Sequence, residues 1–136
     1  MVVSEIMTHA PLAADTGWTV RDALRALHEE DFRHLPVLGE ENELLGIVSL
    51  RDLQVFMAPT LLDAAGPITL GPLEASLGDV MSGSVEVAHP EMDVKEAIER
   101  LLEYRIGALP VVEPTSGELV GIVSYVDVLR AVSALV

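Results

Sequence analysis

Two heptapeptides, Gly46-Ile47-Val48-Ser49-Leu50-Arg51-Asp52 and Gly121-Ile122-Val123-Ser124-Tyr125-Val126-Asp127, each place a hydroxyl and a carboxylate three residues apart behind a short apolar run. The apolar run reads as a strand ending at Ser49 or Ser124, with a helix starting directly after it. A helix N-terminus presents N–H groups without intrahelical partners and the positive end of the helix dipole, which together suit an anion. The serine hydroxyl can donate to a phosphate oxygen, and an aspartate in the first turn can accept from both hydroxyls of a ribose. The same Ser-x-x-Asp spacing is also a plain capping box, in which the two side chains satisfy the helix's own donors. The residues alone leave both readings open.

Cations sharpen the question. Arg33 and His34 stand immediately before Leu35-Pro36-Val37, and Arg51 lies inside the first heptapeptide. Arginine keeps its charge and can grip a phosphate through two N–H groups at once. At the matching positions the second copy carries Gly107, Ala108 and Val126, which open space but bring no charge. The two candidate sites are therefore expected to differ. Arg33 and Arg51 can equally well pair with surface carboxylates, which are abundant.

These residues sit in an internal repeat. Leu35-Pro36-Val37 recurs as Leu109-Pro110-Val111, 74 residues on, and Gly46-Ile47-Val48-Ser49 recurs as Gly121-Ile122-Val123-Ser124, 75 residues on. Upstream, Ile6-Met7 matches Val80-Met81, and Val20, Ala23, Leu24, Leu27 match Val94, Ala97, Ile98, Leu101. The single inserted residue falls where a turn belongs, at Gly39–Asn42 in one copy and Glu113–Gly117 in the other, which is where insertions are tolerated best. Each copy reads as a short extended segment (near Leu12–Ala14 or Val85–Val87), a helix, two strands joined by a turn, and a second helix. The strands are expected at Leu35–Leu38 with Leu44–Ser49 and at Leu109–Val112 with Leu119–Ser124. Second helices are expected over about Leu50–Met57 and Tyr125–Leu135. Thr19 with Asp22 spells a capping box, and Asp93 with Glu96 gives a similar acidic start. The stripes Val20, Ala23, Leu24, Leu27 and Val94, Ala97, Ile98, Leu101, Leu102 predict buried helix faces. Residues 58–76, with Pro59, Gly66, Pro67, Gly71 and Pro72, read as a connector. A half of this size has a marginal core alone, so the two copies are expected to share one.

Composition narrows the function. The chain has 136 residues, half of them apolar, and a formal net charge of −14 from 22 acidic and 8 basic side chains. Such a surface repels phosphate backbones and anionic lipid, which argues against nucleic acid and membrane as partners. Cysteine is absent, so disulfides, thiolate catalysis and zinc–cysteine sites are excluded. His9, His28, His34 and His89 show no ligand spacing, and no metal site is expected. There is no long apolar run or secretory leader, and the expected location is the cytoplasm. No nucleophile elbow, phosphate-binding glycine loop or acid–base pair is legible, so an enzyme is the least favoured class. Trp18 reads either as a staple onto the following helix or as an interface residue. The C-terminal stripe Val128, Leu129, Val132, Leu135, Val136 exceeds what a small domain needs and reads as a contact surface.

At Ile6-Met7-Thr8 and Val80-Met81-Ser82, at Arg33–Val37 and Gly107–Val111, and at the two heptapeptides, the sequence resembles the cystathionine-β-synthase (CBS) domain, specifically the paired form called a Bateman module. The resemblance covers nearly the whole chain. It implies an α+β fold of two pseudo-twofold-related β-α-β-β-α repeats, each a small three-stranded sheet with two helices, sharing one core. Repeat 1 would be 1–57 and repeat 2 would be 77–136. It implies a regulatory module that senses an adenosine-containing ligand (AMP, ADP, ATP or S-adenosylmethionine) in clefts between the repeats, and association of two modules into a flat disc as a homodimer. No cofactor is required, although Mg2+ can accompany the phosphates. On this reading the first copy contributes Arg33, His34, Ile47, Ser49, Arg51 and Asp52, with Arg33 and His34 at the phosphates. The second contributes Gly107, Ala108, Ile122, Ser124, Tyr125 and Asp127, and the leading segments contribute Ala10 and Ser84. Adenine would sit in an apolar slot formed with Ile47, Ile122, Val37 and Val111, each of which is also ordinary core. Replacing Asp52 or Asp127 by alanine is then expected to remove binding with little loss of stability. A ligand-free association module built on the same fold is the alternative.

Overall fold

The computed structural model describes residues 1–30, 32–62, 71–83 and 85–136, with the side chains of residues 60–62 left aside. Four helices are described: α1 Val20–Glu30, α2 Leu50–Leu62, α3 Val94–Tyr104 and α4 Tyr125–Ser133. Six short strands, β1 Thr8–His9, β2 Ala14–Asp15, β3 His34–Leu38, β4 Leu44–Ser49, β5 Ala108–Val112 and β6 Leu119–Ser124, form two three-stranded sheets ordered β1-β6-β5 and β2-β3-β4. This is the α+β architecture read from the repeat. The chain gathers into two compact units, one of Met1–Leu12, Glu40–Leu44 and Val85–Val136, the other of Ala13–Gly39 and Leu45–Ser84.

The helices form where the caps and apolar stripes require them. Thr19 and Asp22 make the reciprocal cap of α1, with Thr19 N donating to Asp22 Oδ2 at 2.9 Å and Asp22 N donating to Thr19 Oγ1 at 3.2 Å. These bonds from Thr19 to the ionised carboxylate hold the Asp22 pKa below its ordinary value. Asp93 caps α3 by accepting from Lys95 N at 2.9 Å, but Glu96 does not reach back to complete a box. It pairs instead with Arg100 one turn on, at 3.4 Å. Along α1, Val20, Ala23 and Leu27 are buried, as are Ala97 and Leu101 of α3. Leu102 departs from expectation and is exposed, because its position lies just past the edge of the buried face.

Other boundaries moved for identifiable reasons. Helix α2 continues through Pro59 to Leu62, beyond the expected end at Met57. Proline fixes φ near the helical value and costs one backbone hydrogen bond, so it weakens a helix without forbidding it. Helix α4 stops at Ser133, two residues early. The extended segment of the first copy is Ala14–Asp15, and the Val85–Val87 segment makes only a bridge at Ala88. The connector from Gly71 onward turns through Gly71–Glu74 and is tied to α1, where Arg21 pairs with Glu74 at 2.8 Å. Trp18 binds through its backbone, its carbonyl accepting from Leu77 N at 2.9 Å.

One feature of the pairing escapes any periodicity argument. The leading segment of each copy lies on the sheet of the other copy. Thr8 and His9 pair antiparallel with Ile122 and Gly121, and the equivalent Ser82 bridges antiparallel to Ile47. Just after each leading segment the pairing is parallel and within the same copy, Ala14 to Val37 and Ala88 to Val111. The core of the first unit accordingly takes in Val3 beside Ala88, Met92, Ala97, Leu101, Leu109, Val111 and Val123. The second unit buries Ala14, Val20, Ala23, Leu27, Leu35, Val37, Val48, Leu53 and Leu77.

The glycine that opens each heptapeptide exists for this contact. A Cβ on Gly121 would lie 2.5 Å from Met7 Sδ and 2.9 Å from the Thr8 carbonyl oxygen, and one on Gly46 would lie 2.7 Å from Met81 Sδ and 2.8 Å from the Ser82 carbonyl oxygen. The methionine tips can swing aside, but the paired carbonyls cannot. Gly121→Ala is expected to destabilise the protein by about 2 kcal/mol, read as a lower urea midpoint at unchanged m-value.

Candidate functional site

Each Ser-x-x-Asp motif sits where a strand end turns directly into a helix. At the first, Ser49 N donates to Asp52 Oδ2 at 2.9 Å and Asp52 N donates to Ser49 Oγ at 3.0 Å. At the second, Ser124 N donates to Asp127 Oδ2 at 2.9 Å, Ser124 Oγ donates to the same oxygen at 3.1 Å, and Asp127 N donates to Ser124 Oγ at 3.4 Å. Both motifs are therefore capping boxes. The plainer reading of the spacing is present in the molecule, and it also fixes where each carboxylate points. The first N–H of each helix is engaged too: Leu50 N donates to the Arg33 carbonyl at 2.8 Å, and Tyr125 N to the Gly107 carbonyl at 3.2 Å.

Those last bonds assemble the site residues. In one unit the Arg33 carbonyl brings Arg33 and His34 to the first turn of α2, beside Ser49, Arg51 and Asp52. Arg33, Arg51 and Asp52 are exposed, while His34, Ile47 and Ser49 are half-buried. Burial lowers the His34 pKa from its ordinary 6.5, the Arg33 charge adds to the depression, and the Asp52 carboxylate opposes it. In the other unit the Gly107 carbonyl places Gly107 and Ala108 against the start of α4, beside Ile122, Ser124, Tyr125 and Asp127. Ala108 pairs across the sheet with Ser124 and is buried. Ala10 follows β1 in the same unit with φ at +47°, a left-handed conformation that costs an alanine about 1–2 kcal/mol. Val37 and Val111 are fully buried in their cores and cannot line a slot, because no surface of either is left. Ser84 lies outside the described residues.

One residue bonded to Asp127 stands outside the candidates read from the sequence. Thr8 Oγ1 donates to Asp127 Oδ1 at 3.2 Å, although the two are 119 residues apart. Only the exchange of leading segments brings them together, and a repeat pattern carries no sign of it. Arg105 ends α3 in a left-handed conformation with φ at +52°, and its N–H donates to the Leu101 carbonyl. The Tyr125 hydroxyl donates to that same carbonyl at 3.4 Å, which ties the first residue of α4 to the end of α3.

The asymmetry between the sites is one of burial. Asp127 is 9% exposed, with both oxygens engaged, whereas Asp52 is exposed. A metal centre is a separate matter: among the described residues no three His, Asp or Glu side chains converge as ligands.

The CBS domain model matches residues 3–58 and 77–134. The chain belongs to the CBS domain family. The two matched segments make it a CBS domain pair. A crystal structure of CBSX2 in complex with AMP is 29% identical, with a TM-score of 0.83 over 98% of this chain and 97% of that one. The CBS domain pair of protein MJ0100, solved with 5′-methylthioadenosine and S-adenosyl-L-methionine, is 24% identical with a TM-score of 0.83 over 100% of this chain and 98% of that one, which speaks to the fold. Among curated relatives, the magnesium transporter MgtE of Thermus thermophilus is 31% identical over 95% of this chain and 26% of its own length. An L-aspartate semialdehyde sulfurtransferase of Methanocaldococcus jannaschii is 24% identical over 95% of this chain and 23% of its own length. The chain spans about a quarter of the length of the curated relatives it matches. No helix of the described residues is long and apolar enough to cross a membrane.

The His34 environment gives a pH dependence with a definite sign. A histidine whose folded pKa is depressed takes up its proton more readily when unfolded, so its contribution to stability is complete above pH 6.5 and is lost as pH falls through the lower folded value. His34→Gln is expected to flatten the decline in melting temperature on acidification below pH 6.5, as read by thermal melts of both proteins across that range.

Proposed function

We propose that this CBS pair is a non-catalytic regulatory module that binds an adenosine-containing ligand, AMP, ADP, ATP or S-adenosylmethionine, at its two Ser-x-x-Asp helix starts. The observation that carries the reading is the geometry of the two carboxylates. Each is held by the serine N–H at the first turn of a helix, where it can accept from ribose hydroxyls while the helix start faces the phosphates. The AMP complex of a 29% identical CBS pair supports the ligand class.

At the first site Ser49 and Asp52 read the ligand, Arg33, Arg51 and His34 supply positive charge or donors to phosphates, and Ile47 borders the adenine. At the second, Ser124 and Asp127 take the same roles, and Ala10, Gly107, Ala108, Ile122 and Tyr125 form the walls. Ser84 takes the place of Ala10 at the first site. Phosphates bound there can carry Mg2+. Ligand favouring one conformation of the pair over another is the route by which occupancy reaches a regulated protein. The location remains the cytoplasm on this reading.

Binding to the folded state raises the melting temperature with ligand concentration, by about 2.7 kcal/mol of added stability at a hundred times the dissociation constant. Thermal melts with each compound are expected to show that rise for at least one of them. No shift at millimolar concentration from any adenine compound would sink the reading. Because each aspartate also caps its helix, alanine there costs about 1 kcal/mol of stability, more than the sequence suggested. Asp52→Asn and Asp127→Asn are the better tests, each expected to remove binding at its own site. Arg33→Ala is expected to weaken AMP more than adenosine, and equal weakening removes Arg33 from the phosphate.

A specific observation also favours association. On and after α4, Tyr125, Val126, Leu129, Val132, Leu135 and Val136 are exposed, while Val128 packs onto the core. An apolar face of this kind suits a second copy of the chain. Sedimentation at micromolar concentration is expected to give a homodimer that Leu129→Glu dissociates, and a monomer without the mutation would rule the contact out.

A further inference from the structure

The hydrogen bonds at Asp127 form a closed set. Oδ2 accepts from the Ser124 N–H and hydroxyl, and Oδ1 accepts from the Thr8 hydroxyl. Asp127 is also the buried charged residue among the described side chains. Thr8 is carried there by β1, whose backbone pairs with Ile122 and Gly121 just ahead of the capping serine. The donor on Oδ1 is thus an aliphatic alcohol, half-buried and fixed by a strand. Its chemistry is that of a ribose hydroxyl, an alcohol donating to a carboxylate oxygen.

We propose that the Thr8 hydroxyl is an internal stand-in for a ribose hydroxyl, so that ligand binds at Asp127 by exchange. This rests on the adenosine reading of the site. An incoming ribose O–H takes Oδ1, the Thr8 side chain rotates about χ1 to release it, and Ser124 keeps its hold on Oδ2. One charge-assisted hydrogen bond is broken for each one made, so the ribose contributes less net affinity here than at an aspartate without such a donor. At Asp52, which is exposed, the position equivalent to Thr8 is Ser82, bonded through its backbone to Ile47. The Asp127 site therefore fills at higher ligand concentration than its hydrogen-bonding groups alone would suggest. Its occupancy also releases a side chain of the N-terminal segment, which makes that segment the part of the chain that registers filling of this site.

The test uses the full chain carrying Asp52→Asn, so that calorimetric titration reports the Asp127 site, with adenosine and 2′,3′-dideoxyadenosine as probes. Thr8→Val keeps the shape and removes the competing donor. It is expected to tighten adenosine about five- to ten-fold and to leave dideoxyadenosine unchanged, while Thr8→Ser behaves as threonine does. Adenosine binding that is unchanged or weaker in Thr8→Val, while Thr8 protein binds, overturns the exchange and leaves the sensor reading standing. Where AMP binds and adenosine does not, the same comparison is read with AMP and its 2′,3′-dideoxy analogue; binding of no adenine compound to the unmutated chain or any variant overturns the sensor reading and the exchange with it. A melting measurement covers the case of a destabilised variant. Unliganded Thr8→Val or Thr8→Ala is expected to melt below the parent, and saturating adenosine is expected to narrow that gap. A gap that ligand leaves unchanged counts against the exchange.

Discussion

The absence of a side chain at Gly46 and Gly121 is the constraint on which the candidate sites depend. In the middle of an apolar strand a glycine forfeits packing and costs backbone entropy, and here the return is access. It lets a neighbouring backbone approach to distances at which a Cβ would overlap a carbonyl oxygen. That approach seats the leading segments on the sheets, and through the second of these contacts it delivers the Thr8 hydroxyl to Asp127. The serine that caps the helix stands three residues after the same glycine. Close approach, helix cap and carboxylate are thus set by one short piece of chain.

A capping role and a binding role are often weighed as rivals, and here they are compatible. A carboxylate engaged through one oxygen by its own helix is oriented, and its second oxygen decides what else it can hold. The two copies answer that second question differently, because one aspartate is exposed and the other buried with an alcohol already on it. The charge pattern fits small ligands. The chain carries a net charge of −14, while Arg33 and Arg51 stand at the start of α2. Local convergence of a few cations can hold one small anion against an unfavourable global field.

Much of this was legible in the sequence for physical reasons. The repeat fixed the order of helices and strands, the short apolar runs at Leu-Pro-Val and Gly-Ile-Val on either side of a turn gave both strand pairs, and Thr19 with Asp22 marked a helix start that the hydrogen bonds reproduce. Errors arose where local rules meet tertiary context. Pro59 is accommodated inside α2, and Leu102 falls off the buried face of α3. At the sites, Ser49, Asp52, Ser124 and Asp127 were visible because their chemistry lies within four residues. Thr8 was not, since a repeat with near-identical copies does not say which copy a leading segment will join.

The exchange of leading segments has a consequence for how the protein is made. Val3 and Thr8 are synthesised more than a hundred residues before their partners Val123, Ile122 and Asp127. The first copy likewise lacks its bridge from Ser82 to Ile47 until the connector has been synthesised. The β1-β6-β5 sheet cannot be finished while one copy alone has emerged. The nascent leading segment, apolar at Val2, Val3 and Ile6, must wait for Met92 and Asp93, and Thr8 longer still for Ile122 and Asp127. Long-range pairing of this sort slows folding and leaves a strand edge uncovered in the interval. A chain interrupted between the repeats therefore leaves the first without its bridge from Ser82 and the leading strand β1 without a sheet to join.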